Sequence, residues 1–350
     1  MRNLQIGLMT ISGVVTVGLS GCGGGGGSSS SSGTGTIGSG TSATSYTFIQ
    51  SFGQGQVNQP EGLALDSAGN VYVVDVNNSN STGSIDKFTS AGVFASSFPS
   101  LGSNGSSSSL PIGISVSADN SIHVMASDSD NTEHITTYSG AGQFQSSFGI
   151  SSRPILGFAQ DSTGFSYVQG GTGTTSSVTN QAQGIIAKYD SAGSQVASFG
   201  RSVFENINPQ NSSPHQPEDI AVASDGTIYA DTQIYQGALY KFSASGTLIA
   251  TYGASGTGTL NGPEGIAVDN IGNVYVMDVG NDRVVKFRAD GTYVTSFGSQ
   301  GTGNGQFRFD ALASTPNSAD FDNHGIVVAP NGTVYVADAV NQRIEIFAPQ

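Results

Sequence analysis

The chain has one cysteine, Cys22, no tryptophan and only 10% charged residues over its 350 positions. A lone cysteine excludes an intrachain disulfide framework. The shortage of charge leaves long amphipathic helices without the Glu, Lys and Arg that build their solvent faces. Basic residues number 11 against 25 acidic ones, for a net charge of −14, and no stretch clusters Lys or Arg. Binding to nucleic acid draws on such clusters to neutralise phosphates, so no DNA or RNA partner is expected. The longest apolar run, Leu4 to Leu19, is too short and too often interrupted by glycine to span a bilayer. What abounds is glycine, with 50 copies, together with Ser and Thr. This composition predicts an all-β fold, and closed all-β folds reach such a length as one domain. The acidity supplies solubility and low non-specific adhesion, or else attracts cations and basic partners.

The N-terminus reads as an address. In MRNLQIGLMTISGVVTVGLSGC, Arg2 opens a short positive segment, the apolar run follows, and Ser20 and Gly21 precede Cys22. Leu19-Ser20-Gly21-Cys22 resembles the lipobox of bacterial lipoproteins. The resemblance implies a signal peptide over 1–21, lipidation of Cys22, and membrane attachment through more than one acyl chain. Gly23 after the cysteine points to outer-membrane sorting by the same analogy. Residues 22–45, rich in Gly and Ser, form a tether with almost nothing to bury and a typical span of about 25–30 Å. The expected location is the bacterial cell envelope, outer membrane or periplasm-facing.

Residues 46–350 repeat themselves. The pattern P-E-G-(apolar)-A-(apolar)-D, a turn with Gly, V-Y-V-x-D, a loop, (apolar)-x-K-F and (apolar)-x-S-F-G is clearest at 263–298. It recurs at 60–98, 111–149, 154–200 and 217–253, and from 324 it stops one strand early. The missing piece stands before the first copy: YTFIQSFG at 46–53 matches the fourth-strand ending YVTSFG at 293–298. If Phe48 to Phe52 supplies it, a ring closes and no sheet edge is left open. Asp225-Gly226 and Asn331-Gly332 predict tight hairpin turns. VYVMD is apolar at consecutive positions, so both faces of that strand must be covered, as when blade stacks on blade.

GNVYVMDVGNDRVVKF at 272–287 and GTVYVADAVNQRIEIF at 332–347, each preceded by GIAVD or GIVVA, resemble NHL repeats. The resemblance implies a six-bladed β-propeller of four-stranded antiparallel blades, closed by the N-terminal strand and monomeric. Function does not follow from such a fold, which hosts enzymes and binding platforms alike.

Candidate residues divide by their place in the repeat. Asp75, Asp231, Asp278 and Asp338 end second strands, where a carboxylate can accept the amides of the following turn, with Arg283 and Arg343 spaced to pair with them. Glu61, Glu218 and Glu264 precede first strands, with Ile112, Ile155 and His324 in the corresponding places of the other blades. They form either a partial carboxylate ring that captures a cation or amine, or loop acids bonded to solvent and turn amides. His123 replaces the Tyr of VYV as a packing residue, and His134 belongs to a polar loop. His215 and His324 approach axial ends of first strands and could begin a metal site. Long inserts at 170–184 and 201–216 offer a contact cluster of Phe204, Asn206, His215 and Tyr235.

NHGI at 323–326 also resembles the histidine pattern of the peptidyl-hydroxyglycine amidating lyases, which implies zinc, while His215 in HQPEDI stands three positions early and no third histidine occurs at an equivalent place. Streptogramin-lyase-like propellers are a second comparison, implying a histidine, a glutamate and magnesium, without a residue-by-residue match. The function expected is a lipid-anchored binding or scaffold module for a protein, peptide or small ligand, without catalytic residues or cofactor. The alternative is a metal-dependent lyase or hydrolase with Zn or Ca at the axial mouth.

Overall fold

The computed structural model describes residues 43–77, 82–105, 108–130, 132–150, 157–170, 185–204, 217–232, 237–309 and 325–350. Six antiparallel sheets of four strands follow one another around a ring. Blade 1 holds Pro60–Leu65, Val71–Asn77, Thr82–Phe88 and Phe94–Pro99. Blades 2 to 5 repeat that order with inner strands Leu110–Val116, Phe158–Gln160, Ile220–Val222 and Pro263–Val268. Blade 6 takes Ile326–Val328, Val334–Asp338 and Arg343–Pro349 from the C-terminus, and its fourth strand, Tyr46–Phe52, from the other end of the domain. That closing pair is antiparallel and runs from Tyr46 opposite Pro349 to Phe52 opposite Ile344.

Second strands are enclosed on both faces. Val71 to Val74, Val274 to Met277 and Val334 to Ala337 are all buried, and successive side chains enter the interfaces on either side of the blade. The core is therefore six inter-blade clusters rather than one centre.

The S-F-G ending of the repeat has a specific use. Each fourth-strand aromatic lies on the glycine of the next blade's outer hairpin: Phe52 on Gly92, Phe98 on Gly142, Phe148 on Gly193, Phe199 on Gly246 and Tyr252 on Gly291. A Cβ at any of these glycines would collide with the ring, and all five have positive φ. Blade 6 has no such hairpin, because its fourth strand arrives from the far end of the domain. There Phe297 stacks instead on Tyr46, at 4.6 Å between centroids. Tyr46 also shares a 2.8 Å hydrogen bond with the Tyr275 hydroxyl and accepts from Lys286 Nζ at 3.1 Å.

The inner hairpins differ in one respect from the tight turn expected. Ala223 N donates to the Thr227 carbonyl and Gly226 N to the Ala223 carbonyl, so the loop has three residues with Gly226 at φ +82°. Ala329, Thr333 and Gly332 repeat the arrangement. The dipeptides supply a left-handed glycine after a type I turn rather than a two-residue primed turn.

Blade 6 also buries an acid. Glu345 accepts from Gly305 N at 3.2 Å and pairs with Arg343 at 3.0 Å, and burial pushes its carboxyl up to about 7, with Asp338 adding repulsion and Arg343 opposing it. A carboxyl raised on folding stabilises fully below its unfolded value, 4.5, and that contribution disappears as pH rises through about 7. Glu345→Gln is expected to flatten the pH dependence of stability across this window, by up to about 3 kcal/mol, as read from urea midpoints at pH 5 and pH 8. Deleting residues 46–52 is expected to remove on the order of 5 kcal/mol, since buried Phe52 contributes about 1.5–3 kcal/mol and the half-buried Tyr46 and Phe48 about 1–2 kcal/mol each. An unchanged midpoint would contradict closure as a source of stability.

Candidate functional site

The six inner strands leave an axial channel of about 480 Å³. Its walls are mostly apolar or backbone, with Ile112, Ile114, Val116, Phe158, Ile266 and Val327 among the side chains. Polar groups are few: Asp66 and Ser67 from blade 1, Ser115 and Ser117 from blade 2, Gln160 from blade 3 and Asp219 from blade 4. Ser115 Oγ and Gln160 Oε1 meet across two blades at 3.4 Å. A cavity whose lining mixes apolar side chains with backbone and a few fixed polar groups suits a small organic ligand.

Glu61, Glu218 and Glu264 do not form an open ring. They are 1%, 7% and 6% exposed, and none lines the channel. Glu61 Oε1 accepts from Gln59 Nε2 at 3.0 Å. Ile112, at the matching place in blade 2, is buried and lines the channel. Ile155, Asn206, His215, Tyr235 and His324 lie outside the described residues, as do most of the two inserts. Phe204 closes the short helix Arg201–Phe204 and is fully buried, with its ring 5.4 Å from Tyr240 and 5.9 Å from Phe242. It is a core residue between blades 3 and 4 rather than a ligand contact. Among the described residues no three His, Cys, Asp or Glu side chains are grouped to hold a metal.

The second-strand aspartates tie a blade to the loop that leads into it. Asp75 Oδ1 accepts from Asn58 N at 2.7 Å and Gln59 N at 2.9 Å. Asp278 accepts from Asn261 N at 2.6 Å, and Asp338 from Arg308 N at 2.9 Å. Their second oxygens take Arg283 Nε at 2.6 Å and Arg343 Nε at 2.9 Å. The backbone amides come from the incoming segment rather than from the turn after the strand; in Asp278 and Asp338 that turn contributes the side-chain amides of Asn281 and Asn341. Burial raises the Asp75 carboxyl above its usual range, against the lowering effect of these donors.

Asp231 is not part of this series. Its strand ends at Thr232, and the pairing of Ala221 with Tyr229 aligns Thr232, not Asp231, with Asp75, Asp278 and Asp338. Asp231 therefore stands one place earlier, facing blade 5, where the other blades have Val74, Met125, Gln169, Met277 and Ala337. It is fully enclosed, and its Oδ1 accepts from Asp219 N at 2.8 Å. Burial first, and then the Asp219 charge, hold its carboxyl well above the usual carboxylate range. Asp219 Oδ2 in turn accepts from Ile266 N of blade 5 at 2.9 Å. Aligning the strands on their tyrosines, rather than on the last aspartate, would have revealed both residues.

At the opposite ends of the inner hairpins, Tyr72, Tyr167, Tyr229 and Tyr275 face Lys87, Lys188, Lys241 and Lys286 across the second and third strands. Asp66 joins the first pair, Lys87 donating to Tyr72 at 2.6 Å and lying 3.3 Å from the carboxylate. Blade 2 replaces the group with neutral residues: His123 lies 3.2 Å from Ser117 Oγ and 3.1 Å from Thr137 Oγ1. Burial lowers its pKa, which favours the uncharged ring. His134 belongs to the strand Glu133–Tyr138 rather than to a polar loop, fully buried with Nε2 3.2 Å from the Leu101 carbonyl.

Comparison with known proteins matches the NHL repeat at residues 57–80, 260–287 and 324–347, and a strictosidine synthase-like N-terminal segment at 209–233. No curated protein matches the chain. Among solved structures, a streptogramin B lyase is similar at 13% identity and TM-score 0.54, covering 87% of this chain and 98% of that one. A catalytically inactive virginiamycin B lyase from Staphylococcus aureus with quinupristin is similar at 14% identity and TM-score 0.51, covering 87% and 89%. The PQQ-bound aldose sugar dehydrogenase of Streptomyces coelicolor is similar at 13% identity and TM-score 0.52, covering 87% and 98%. Such identities establish likeness of fold alone, whereas the repeat matches, the four-stranded blades and the ring closed by Tyr46–Phe52 show that this chain carries NHL repeats in a six-bladed β-propeller.

Proposed function

We propose that the chain is a lipid-anchored binding or scaffold protein of the bacterial cell envelope, and that its propeller takes a protein segment, peptide or small ligand at the axial channel. The observation that carries this reading is the channel itself, about 480 Å³ bounded by the inner strands of all six blades. Its wall is rigid because each inner strand is hydrogen-bonded within its sheet and packed between two neighbours. A preformed cavity of this kind loses little freedom on binding. The sequence reading of Cys22 and the tether supplies the location: a folded ring held some tens of ångströms from a lipid surface.

Two measurements test the two halves. A thermal-shift screen of the full-length protein against peptides and small molecules should yield ligands that lose at least tenfold in affinity in Ser115→Trp, which fills the channel. If every ligand found binds that variant as well as the parent, the axial reading fails. Separately, Cys22→Ser is expected to move the protein from the membrane to the soluble fraction on cell fractionation. Retention of the variant in membranes would refute the anchor.

A further inference from the structure

Five blades place glycine at the same point of the inner strand: Gly62, Gly113, Gly157, Gly265 and Gly325. Crowding explains it, since a Cβ on Gly325 would collide with Ala337 and with the Glu61 carbonyl of blade 1, and one on Gly113 with Phe158 of blade 3. Blade 4 alone has an acid there, Asp219. Facing it across the strand pair, where the other blades carry Val74, Met125, Gln169, Met277 and Ala337, is the second acid, Asp231. Both departures fall in one blade, at positions that touch. Burying two carboxylates side by side disfavours folding relative to the glycine and uncharged residue the repeat otherwise uses. Each acid holds one backbone N–H, yet the other blades make this contact without any charge, and a local rule broken twice at one contact marks a functional place.

We propose that Asp219 and Asp231 form the recognition site for a small organic cation, a primary ammonium on an apolar tail, that enters through the axial channel. This rests on the channel-binding reading above and names its ligand class. Asp219 lines the channel, so a ligand reaches it directly. Asp231 stands behind it as a positioning residue, and its Oδ2 is enclosed with no hydrogen-bond donor. Burial and the neighbouring Asp219, Glu218 and Glu264 acids raise the Asp231 carboxyl, and a cation seated beside it would favour its ionised form. Ile114, Val116, Phe158 and Ile266 line the same space and suit an alkyl chain.

The chemistry selects ammonium over a divalent metal. One oxygen of each acid already accepts a backbone N–H, from Ile266 and from Asp219 itself. Calcium needs six to eight oxygens and zinc three or four protein ligands, and no such grouping exists among the described residues. An ammonium brings three N–H donors, which two or three acceptors satisfy.

Isothermal titration of the full-length protein with n-butylammonium chloride, n-butanol and calcium chloride tests the proposal. Butylammonium should bind at least tenfold more tightly than butanol, its neutral counterpart of equal size, and more tightly than calcium. The double variant Asp219→Gly/Asp231→Met gives blade 4 the residues of blade 5. It should unfold at or above the parent midpoint and lose at least tenfold in butylammonium affinity. Equal binding of butylammonium and butanol, binding of neither, tighter binding of calcium, retained affinity in the double variant, or a midpoint below the parent would each overturn the site. Should the site fail while other ligands still depend on Ser115, the channel-binding reading stands without it.

Discussion

Each blade buries both faces of its second strand, and it can do so only with a neighbour on either side. The contact that sets one blade against the next is an aromatic ring laid on a glycine, from Phe52 on Gly92 around to Tyr252 on Gly291. The ring leaves no space for a Cβ, so blade spacing depends on glycine at the turn and an aromatic residue at the end of the fourth strand. A linear array would leave two blades with an uncovered face and an open sheet edge. Recruiting Tyr46–Phe52 into blade 6 removes both faults at once, and Tyr46 on Phe297 substitutes for the one ring-on-glycine contact that the chain break prevents.

From this geometry comes the division of labour between the ends of the ring. At one end, Asp75, Asp278 and Asp338 fasten incoming loops to the second strands. At the other, Tyr and Lys pairs fill the same interfaces. These groups recur because they hold blades together. What differs between blades is therefore more informative about binding than what repeats. Blade 2 exchanges an ionic group for His123 with Ser117 and Thr137, and blade 4 exchanges a glycine and an uncharged residue for Asp219 and Asp231.

The repeat, the four strands per blade and the donated closing strand were legible in the chain, because hydrophobic periodicity and turn glycines are local and recur at a fixed spacing. The acids were legible only as residue types. Glu61 and Glu264 read as mouth residues preceding the inner strand, yet both lie on that strand and are buried. Phe204 read as a loop aromatic, yet one helical turn carries it into the core. Asp231 read as one more strand-ending aspartate, because a displacement of a single residue is invisible without the partner strand, although in a sheet it sends the side chain to the opposite face.

The sequence by itself determined the architecture, since six copies of a strand pattern apolar on both faces have few ways to cover themselves, and a matching segment at the start closes the ring. Only the tertiary structure decided which carboxylates face one another. Asp219 and Asp231 are separated along the chain by a hairpin and meet because strand register puts them opposite each other. The physical reason is that register and blade-to-blade distance, which no local pattern encodes, select the few side chains that share the same buried space.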